Sequence, residues 1–349
     1  MSTPHDIARG ADVAAEAPAT EHAQPRGRLS AAASRRLLGK LGNTLLTLWG
    51  TVTILFIAQA VLPGDRAAIF LNVQDGQSIH RTPKELAAIN HQFGFDQPLV
   101  VQYLHYVAGL LHGDLGVALQ SRRSVTTLIA EQIGATATLG VTAIVLAWLM
   151  TIAWTLATAG RRPGLSRAGS AVEAVAAGVP HYWLGLIFLL VFAAWLGWFP
   201  VIGGSSLRGL WLPAFTLAVP LAGFLGQAIR SEYERALTQP HVLSSRARGA
   251  SAYRVRVVHA LRPALIPGIT LTGWALGSLF SGAVIVENVF SRPGIGALLV
   301  SAVQDKEFEV ISGILLVVSL VYVVMTFVTD YLYVLVDPRI ATAKDRERR

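Results

Sequence analysis

The chain has 349 residues, of which 53% are hydrophobic and 14% are charged, and its mean hydropathy is +0.50. Soluble proteins carry about 25% charged residues, so this composition excludes an ordinary soluble domain and predicts an integral membrane protein. The chain has a net charge of +8 and no cysteine, which excludes disulfides and thiolate metal sites.

The N-terminal residues 1–35 are predicted to be a disordered cytoplasmic tail. They are rich in Ala, Pro, Glu and Arg and show no apolar periodicity. They also lack the apolar core of a cleaved signal peptide, so the first apolar run that follows is predicted to act as an uncleaved signal anchor.

Six uncharged runs lie within residues 36–340, which we predict to be the transmembrane domain. Each run contains the ~20 residues that a helix needs to cross ~30 Å of hydrocarbon. The runs are 41–62, 132–160, 174–207, 209–229, 263–286 and 310–329. We therefore predict an all-α membrane protein with six transmembrane helices, in which Pro200, Gly203 and Gly204 turn the chain between the third and fourth.

Between the first two runs, residues 63–131 are predicted to form a small helical insertion outside the membrane. Its first helix is capped by Thr82, has Pro83 at its first position and ends at Gly94. A second helix is predicted after Pro98. Its apolar stripe consists of Leu99, Tyr103, Leu104 and Val107. These helices are predicted either to cap the spans or to bind an extracytoplasmic partner.

Three histidines in the insertion, His91, His105 and His112, suggest a metal site at first sight. Their spacing does not place a ligand pair on one helical turn, and no cluster of carboxylates accompanies them. We therefore predict no metal site.

Lysine and arginine are distributed unequally between the two sides of the predicted topology. With a cytoplasmic N-terminus, 21 of them lie inside, including the basic tail 341–349, and 8 lie outside. The positive-inside rule then places both termini in the cytoplasm. A basic cytoplasmic face also accounts for the net charge, so no nucleic-acid partner is predicted.

The densest basic segment is residues 230–262, here called the basic loop, between the fourth and fifth runs. An arginine in the middle of hydrocarbon costs roughly 2.5–3.5 kcal/mol, so this loop must lie outside the bilayer. Gly249 is predicted to interrupt a helical run that begins at about Glu232, which leaves two short helices joined at a glycine.

Six motifs, each at a predicted membrane boundary, resemble those of bacterial ABC importer permeases of the peptide/nickel (dipeptide and oligopeptide) family. They are LPGD at 62–65, FGFDQPLVVQYLHYVAGLLHGDLG at 93–116, VPHYWLGL at 179–186, RARGASAYRVRVVHALRPALIPGIT at 246–270, GAVIVENVFSRPGIG at 282–296 and DYLYVLVDPRI at 330–340. Together they extend over nearly the whole chain after residue 35.

This resemblance implies that the basic loop is a cytoplasmic coupling loop that docks on a separate ATPase subunit. The docking residues that it implies are Ser244, Ser245, Arg246, Ala247, Arg248, Gly249, Ala250, Tyr253 and Arg254. The alternative for individual arginines is anchoring to anionic headgroups, at about 1 kcal/mol each. The loop departs from the family pattern, because Leu243, Ser244 and Ser245 replace Glu-Ala-Ala, and Pro240 and His241 replace Asp and Tyr.

The resemblance also implies a homologous second permease, one or two ATPase subunits that hold ATP and Mg, and an extracytoplasmic substrate-binding protein. The chain itself is expected to hold no cofactor and to be no enzyme, because its one Gly-Lys pair lacks the upstream glycine of a phosphate-binding loop. Its cargo would be di- or oligopeptides, nickel or metal chelates, glutathione or opines, imported across the bacterial inner membrane.

Five residues are candidates for the translocation path or for a helix interface. They are His181, Gly273, Gly277, Ser278 and Ser281. An ionisable side chain within a span favours function, but a neutral histidine bonded to a carbonyl freed by Pro180 is equally consistent. Small residues allow helices to approach closely, within one subunit or between two.

Two other classes of protein were weighed. An ion-coupled secondary transporter needs ion sites near the midplane, whereas Glu173, Glu287 and Asp330 lie at the ends of runs. A membrane-embedded enzyme is disfavoured by the lack of HExxH and GxSxG motifs.

Overall fold

The computed structural model describes residues 26–61, 82–93, 96–118 and 121–336. The chain divides into two units, Met1–Thr47 and Leu48–Arg349. The first elements are α1 (Arg26–Val61), α2 (Pro83–Phe93), α3 (Leu99–Leu111), α4 (Val125–Thr158), α5 (Pro163–Gly178) and α6 (His181–Phe188), which continues as a π-helix (Leu189–Trp195). Then follow α7 (Arg208–Leu237), α8 (Pro240–Ala247), α9 (Ala252–Arg254), a π-helix (Val255–Ala260), α10 (Leu261–Val289), α11 (Ile295–Gln304) and α12 (Phe308–Val336).

The described part of the chain is all-helical apart from one isolated β-bridge between Val117 and Ser124. Within the described residues, four helical stretches are long and apolar enough to cross a membrane. They are Gly39–Val61, Val125–Thr158, Arg208–Leu237 and Phe308–Thr329. The number of spans rises to six if each of two bent helix pairs crosses as one unit.

The third apolar run, 174–207, was predicted to contain one span, and the structure shows a sharply bent helix pair there. The helices Pro163–Gly178 and His181–Trp195 meet at an angle of 101°, and a loop follows from 196 to 207. Pro180 causes the break, because a proline lacks the N–H of the helical ladder and forces the preceding residue out of the helical region. Val179 is accordingly extended, with φ −75° and ψ 124°.

Helix α7 forms the centre of the described core. Its most apolar window is 72% buried, and its side chains pack against α4, α5 and α10. Leu217, Leu225 and Ile229 are completely buried. Gly223 allows close contact with α5, because a Cβ atom there would lie 2.5 Å from the backbone nitrogen of Ala177.

Both helices of the predicted insertion are present, but the stripe predicted for α3 is only partly correct. Leu99 and Leu104 are both 59% exposed, whereas the rings of Tyr103 and Tyr106 lie 5.2 and 6.0 Å from that of Phe56 in α1. Tyr103 and Thr53 also share a hydrogen bond of 2.9 Å. The aromatic side chains therefore attach α3 to the first long helix.

Several sequence predictions fall on residues outside the described ranges. These are most of the tail 1–35, the LPGD motif, the end of the first insertion helix at Gly94, and the basic tail 341–349. Helix α1 begins at Arg26, so it includes residues 26–35 of the predicted tail.

Candidate functional site: the basic loop and its supports

The basic loop contains one more helix break than the sequence predicted. The helical run from Glu232 to Gly249 is interrupted at Thr238 and Gln239, so that α7 ends at Leu237 and α8 begins at Pro240. Gln239 is extended because it precedes a proline, and Pro240 fits the first position of a new helix. Helix α8 is therefore a separate short element.

The predicted glycine break is confirmed at the other end of α8. Gly249 has φ +85°, a left-handed conformation that side-chain-bearing residues rarely adopt. Its N–H donates to the carbonyl of Arg246 at 2.9 Å, and the N–H of Ala250 donates to the carbonyl of Ser245 at 3.1 Å. After this reversal the Ser251 hydroxyl caps α9 by accepting from the N–H of Arg254 at 3.3 Å.

Helix α8 has an inner face that fixes it to the membrane domain. Val242 is completely buried and Ser245 is 5% exposed. The Ser245 hydroxyl lies 3.1 Å from Nε2 of His259 in the following π-helix. Of the predicted docking residues, Ser245 therefore faces inward, where it positions the loop.

The opposite side of the loop is exposed and is here called the outer face. Leu243 is 52% exposed and Tyr253 76% exposed, although both side chains are large and apolar or aromatic. The other exposed members are Ser244, Arg246, Ala247, Arg248, Gly249 and Arg254. This surface combines an aromatic ring, an aliphatic side chain and three guanidinium groups around one reversing glycine.

Arg256, in the same loop, has a structural role. Its Nη2 donates to the carbonyl of Leu156 at 3.2 Å and to that of Ala159, and its guanidinium lies 5.9 Å from the centre of the Tyr233 ring. Carbonyls at the end of a helix lack partners within the helix, and a cation there also complements the helix dipole. Arg256 thus joins the basic loop to the C-terminal end of α4.

A second arginine of the loop, Arg230, is buried in an ion pair. Its Nε and Nη2 donate to the two carboxylate oxygens of Glu173 at 2.7 and 2.8 Å, and Nη2 also donates to the Thr158 hydroxyl. The two charged side chains are only 6% and 4% exposed. This bidentate pair connects α4, α5 and α7 beneath the basic loop. The partners lie 57 residues apart, so no local pattern in the sequence indicates it.

Glu287, which the sequence placed at the end of a run, belongs to a buried cluster at the far end of α10. Its carboxylate accepts from the Thr136 hydroxyl at 2.7 Å and from the N–H groups of Gly296 and Ala297 at 2.8 and 3.1 Å. It therefore caps α11, where a negative charge also complements the helix dipole. Burial lowers the pKa of nearby Arg292, and the charge of Glu287 opposes that shift.

The five residues predicted to line the translocation path or a helix interface do not form one cluster. A Cβ atom on Gly277 would lie 3.3 Å from the Tyr322 ring, and Gly273 lies against Thr329, so both glycines pack on α12 of the same chain. Ser278 and Ser281 are exposed on α10. His181 begins α6 at the bend, and its ring would lie 3.4 Å from a Cβ atom on Gly282. Among the residues that the structure describes, no group of three potential ligands could hold a metal ion.

A bundle of long apolar helices, with a short exposed helix on a basic loop, is the architecture of a polytopic membrane protein. Residues 150–342 match the family of binding-protein-dependent transport system inner membrane components, and residues 34–140 match the N-terminal domain of such components. The chain belongs to this family. It is the permease subunit of an ABC importer in the bacterial inner membrane.

Curated relatives extend over nearly the same length. The chain is 32% identical over 307 residues to the glutathione transport system permease protein GsiC of Salmonella choleraesuis strain SC-B67, covering 88% of this chain and 97% of the relative. The GsiC protein of Escherichia coli strain K12 matches at 32% identity over 308 residues, with the same coverage. A solved structure of the methionine ABC transporter MetNI in an inward-facing conformation matches with a TM-score of 0.49 and 18% identity, over 60% of this chain and 96% of that one.

Proposed function

We propose that the outer face of the basic loop docks on a separate ATPase subunit and transmits ATP-driven motion to the helices. The observation that carries the proposal is the division of α8 into two faces. Val242 and Ser245 hold the helix from inside, while Leu243, Arg246 and Tyr253 are left exposed. Interface centres are enriched in aromatic residues and arginine, and this small, rigidly supported surface has that composition.

The transport unit contains this chain, a homologous second permease, one or two ATPase subunits and an extracytoplasmic binding protein. ATP and Mg are held by the ATPase subunits, and this chain contributes no cofactor site. The cargo is glutathione or another short peptide, since the relatives of similar length are named glutathione transport permeases. Six spans with cytoplasmic termini place the basic loop on the side where ATP is available.

Co-isolation tests the set of partners. When the chain is purified from its native membrane in mild detergent, a second permease of similar size and one or two ATPase chains should accompany it. Mass spectrometry of the complex identifies the subunits. Recovery of a homomer that transports on its own would contradict the proposal.

Reporter fusions test the topology. Fusions at Arg162, Arg256 and Lys344 should report the cytoplasm, and fusions at Asp75, Gln120 and Asp305 should report the outside, because 21 of the 29 Lys and Arg residues then lie inside. A phosphatase and fluorescent-protein pair of reporters distinguishes the two sides. Reversed signals at any two positions would overturn the orientation.

A further inference from the structure

A pocket of about 320 Å³ lies where the basic loop meets the cytoplasmic ends of α4 and α7. Its walls are formed by Gly160, Leu237, Arg246, Ala250, Ala252 and Arg256. A water molecule occupies about 30 Å³ in the liquid, so the pocket has room for an entire side chain. Two of its six lining residues are arginines, and none is acidic.

Neither arginine of the pocket forms an ion pair within the described part of the chain. Arg256 uses Nη2 for the carbonyls at the end of α4, but its Nε is buried without a hydrogen-bond partner among the described residues. The Arg246 side chain makes no hydrogen bond or ion pair with the described part of the chain, although its backbone carbonyl accepts from the N–H of Gly249. Two guanidinium groups line one pocket whose walls contain no carboxylate, so the pocket favours an anion on electrostatic grounds.

The nearby carboxylates are already engaged. Glu173 accepts both donors of Arg230, and Glu232 lies 2.7 Å from Arg235. Glu234 accepts from the hydroxyl of Ser166 at 2.6 Å and lies 3.7 Å from Arg230. The anion that completes the pocket must therefore come from outside this group of residues.

We infer that the pocket receives a carboxylate side chain, Asp or Glu, from the docked ATPase subunit. The inference rests on the proposed function, and it adds the chemistry of the contact. Arg246 belongs to both the pocket and the outer face, so a subunit that covers Leu243 and Tyr253 also covers the pocket. Paired guanidinium groups bind a carboxylate with directed, charge-assisted hydrogen bonds, and covering the site removes competing water.

Two neutralising substitutions of equal charge test the inference. Arg246→Gln removes a pocket wall, whereas Arg248→Gln removes the same charge from the outer face without changing the pocket. The dissociation constant of purified ATPase should be measured for the permease complex in nanodiscs of phosphatidylcholine alone. We expect about a tenfold or greater increase for Arg246→Gln and about a threefold or smaller increase for Arg248→Gln.

Two further experiments identify the source of the anion. Alanine scanning of surface Asp and Glu residues on the ATPase should reveal one whose loss weakens binding to the wild type but has no further effect on Arg246→Gln, since the two groups would act as one pair. If the Arg246→Gln defect occurs only in nanodiscs that contain anionic lipid, the occupant is a headgroup and the inference is overturned.

A third variant separates this inference from the proposed function. Gly249→Val should weaken ATPase binding whether or not the pocket is occupied, because it distorts the whole loop. Normal binding by Gly249→Val would contradict docking at the basic loop itself. If Gly249→Val loses binding while Arg246→Gln and Arg248→Gln lose it equally, docking stands and the carboxylate pocket is rejected.

Discussion

Replacing Gly249 by Val should abolish ATP-driven uptake and substrate-stimulated ATP hydrolysis. The left-handed backbone at φ +85° costs roughly 1–3 kcal/mol for a side-chain-bearing residue, and a β-branched side chain is among the least tolerant. A Cβ atom at Gly249 would meet nothing within 4 Å, so backbone strain alone produces the effect. The loop would relieve that strain by changing the angle between α8 and α9, which displaces Arg246 and Tyr253. Transport into proteoliposomes and ATP turnover measure the loss.

Two matched variants show whether strain at this position is the cause. Gly249→Asn should retain most activity, because asparagine tolerates the left-handed region. Gly113 has φ +77° and equally open surroundings in the predicted extracytoplasmic segment, so Gly113→Val imposes similar strain far from the basic loop. It should leave ATPase association unchanged. Normal uptake by Gly249→Val would remove the main support for docking at the loop.

Replacing Glu173 by Ala should destabilise the protein by about 3–5 kcal/mol, because it leaves the buried guanidinium of Arg230 without its counter-charge. Nε and Nη2 of Arg230 lose their carboxylate acceptor. The Thr158 hydroxyl is neutral, and the carboxylate of Glu234 is 40% exposed and 3.7 Å away, so neither replaces the buried counter-charge. We expect low yield in the membrane and a lower unfolding temperature in detergent. Thermal denaturation of the purified protein measures that temperature.

An exposed pair in the same part of the chain provides the control. Arg235 is 70% exposed in its pair with Glu232, so Glu232→Ala should change stability by only about 0–1 kcal/mol. Replacing Glu173 by Leu and Arg230 by Met together should restore much of the stability, because no buried charge then remains at this site. If Glu173→Ala unfolds at the wild-type temperature, the buried pair is not a structural support.

The long helices, the break in the basic loop and the family were predicted well from composition and local chemistry. The apolar runs predicted the long helices, and the need of Gly249 for a left-handed turn predicted the division of the basic loop. The family was also predicted from motifs. These signals are strong because hydrocarbon thickness and backbone sterics act on short stretches of sequence independently of the remaining chain.

The features that the sequence did not predict occur where a proline or a distant side chain determines the local structure. Pro180 lies within an uncharged run, and hydropathy alone does not reveal that the helix bends there by 101°. Pro240 separates α8 from α7 for the same steric reason. Arg230 and Arg256 were counted with the basic surface, but they contact Glu173 and the end of α4, which are distant in sequence. Pairings of this kind arise only from tertiary packing.

The bond between Arg256 and the end of α4 has a mechanical consequence. Helix α4 has 34 residues, so its length is about 51 Å at 1.5 Å per residue. A force on the basic loop therefore acts on one end of a stiff lever that extends beyond the thickness of the bilayer. A change of only about 5° in the direction of the helix at that end would displace the opposite end by about 4 Å, given this helix length. A small change of angle at the basic loop thus becomes a displacement of several ångströms at the far end of a single helix.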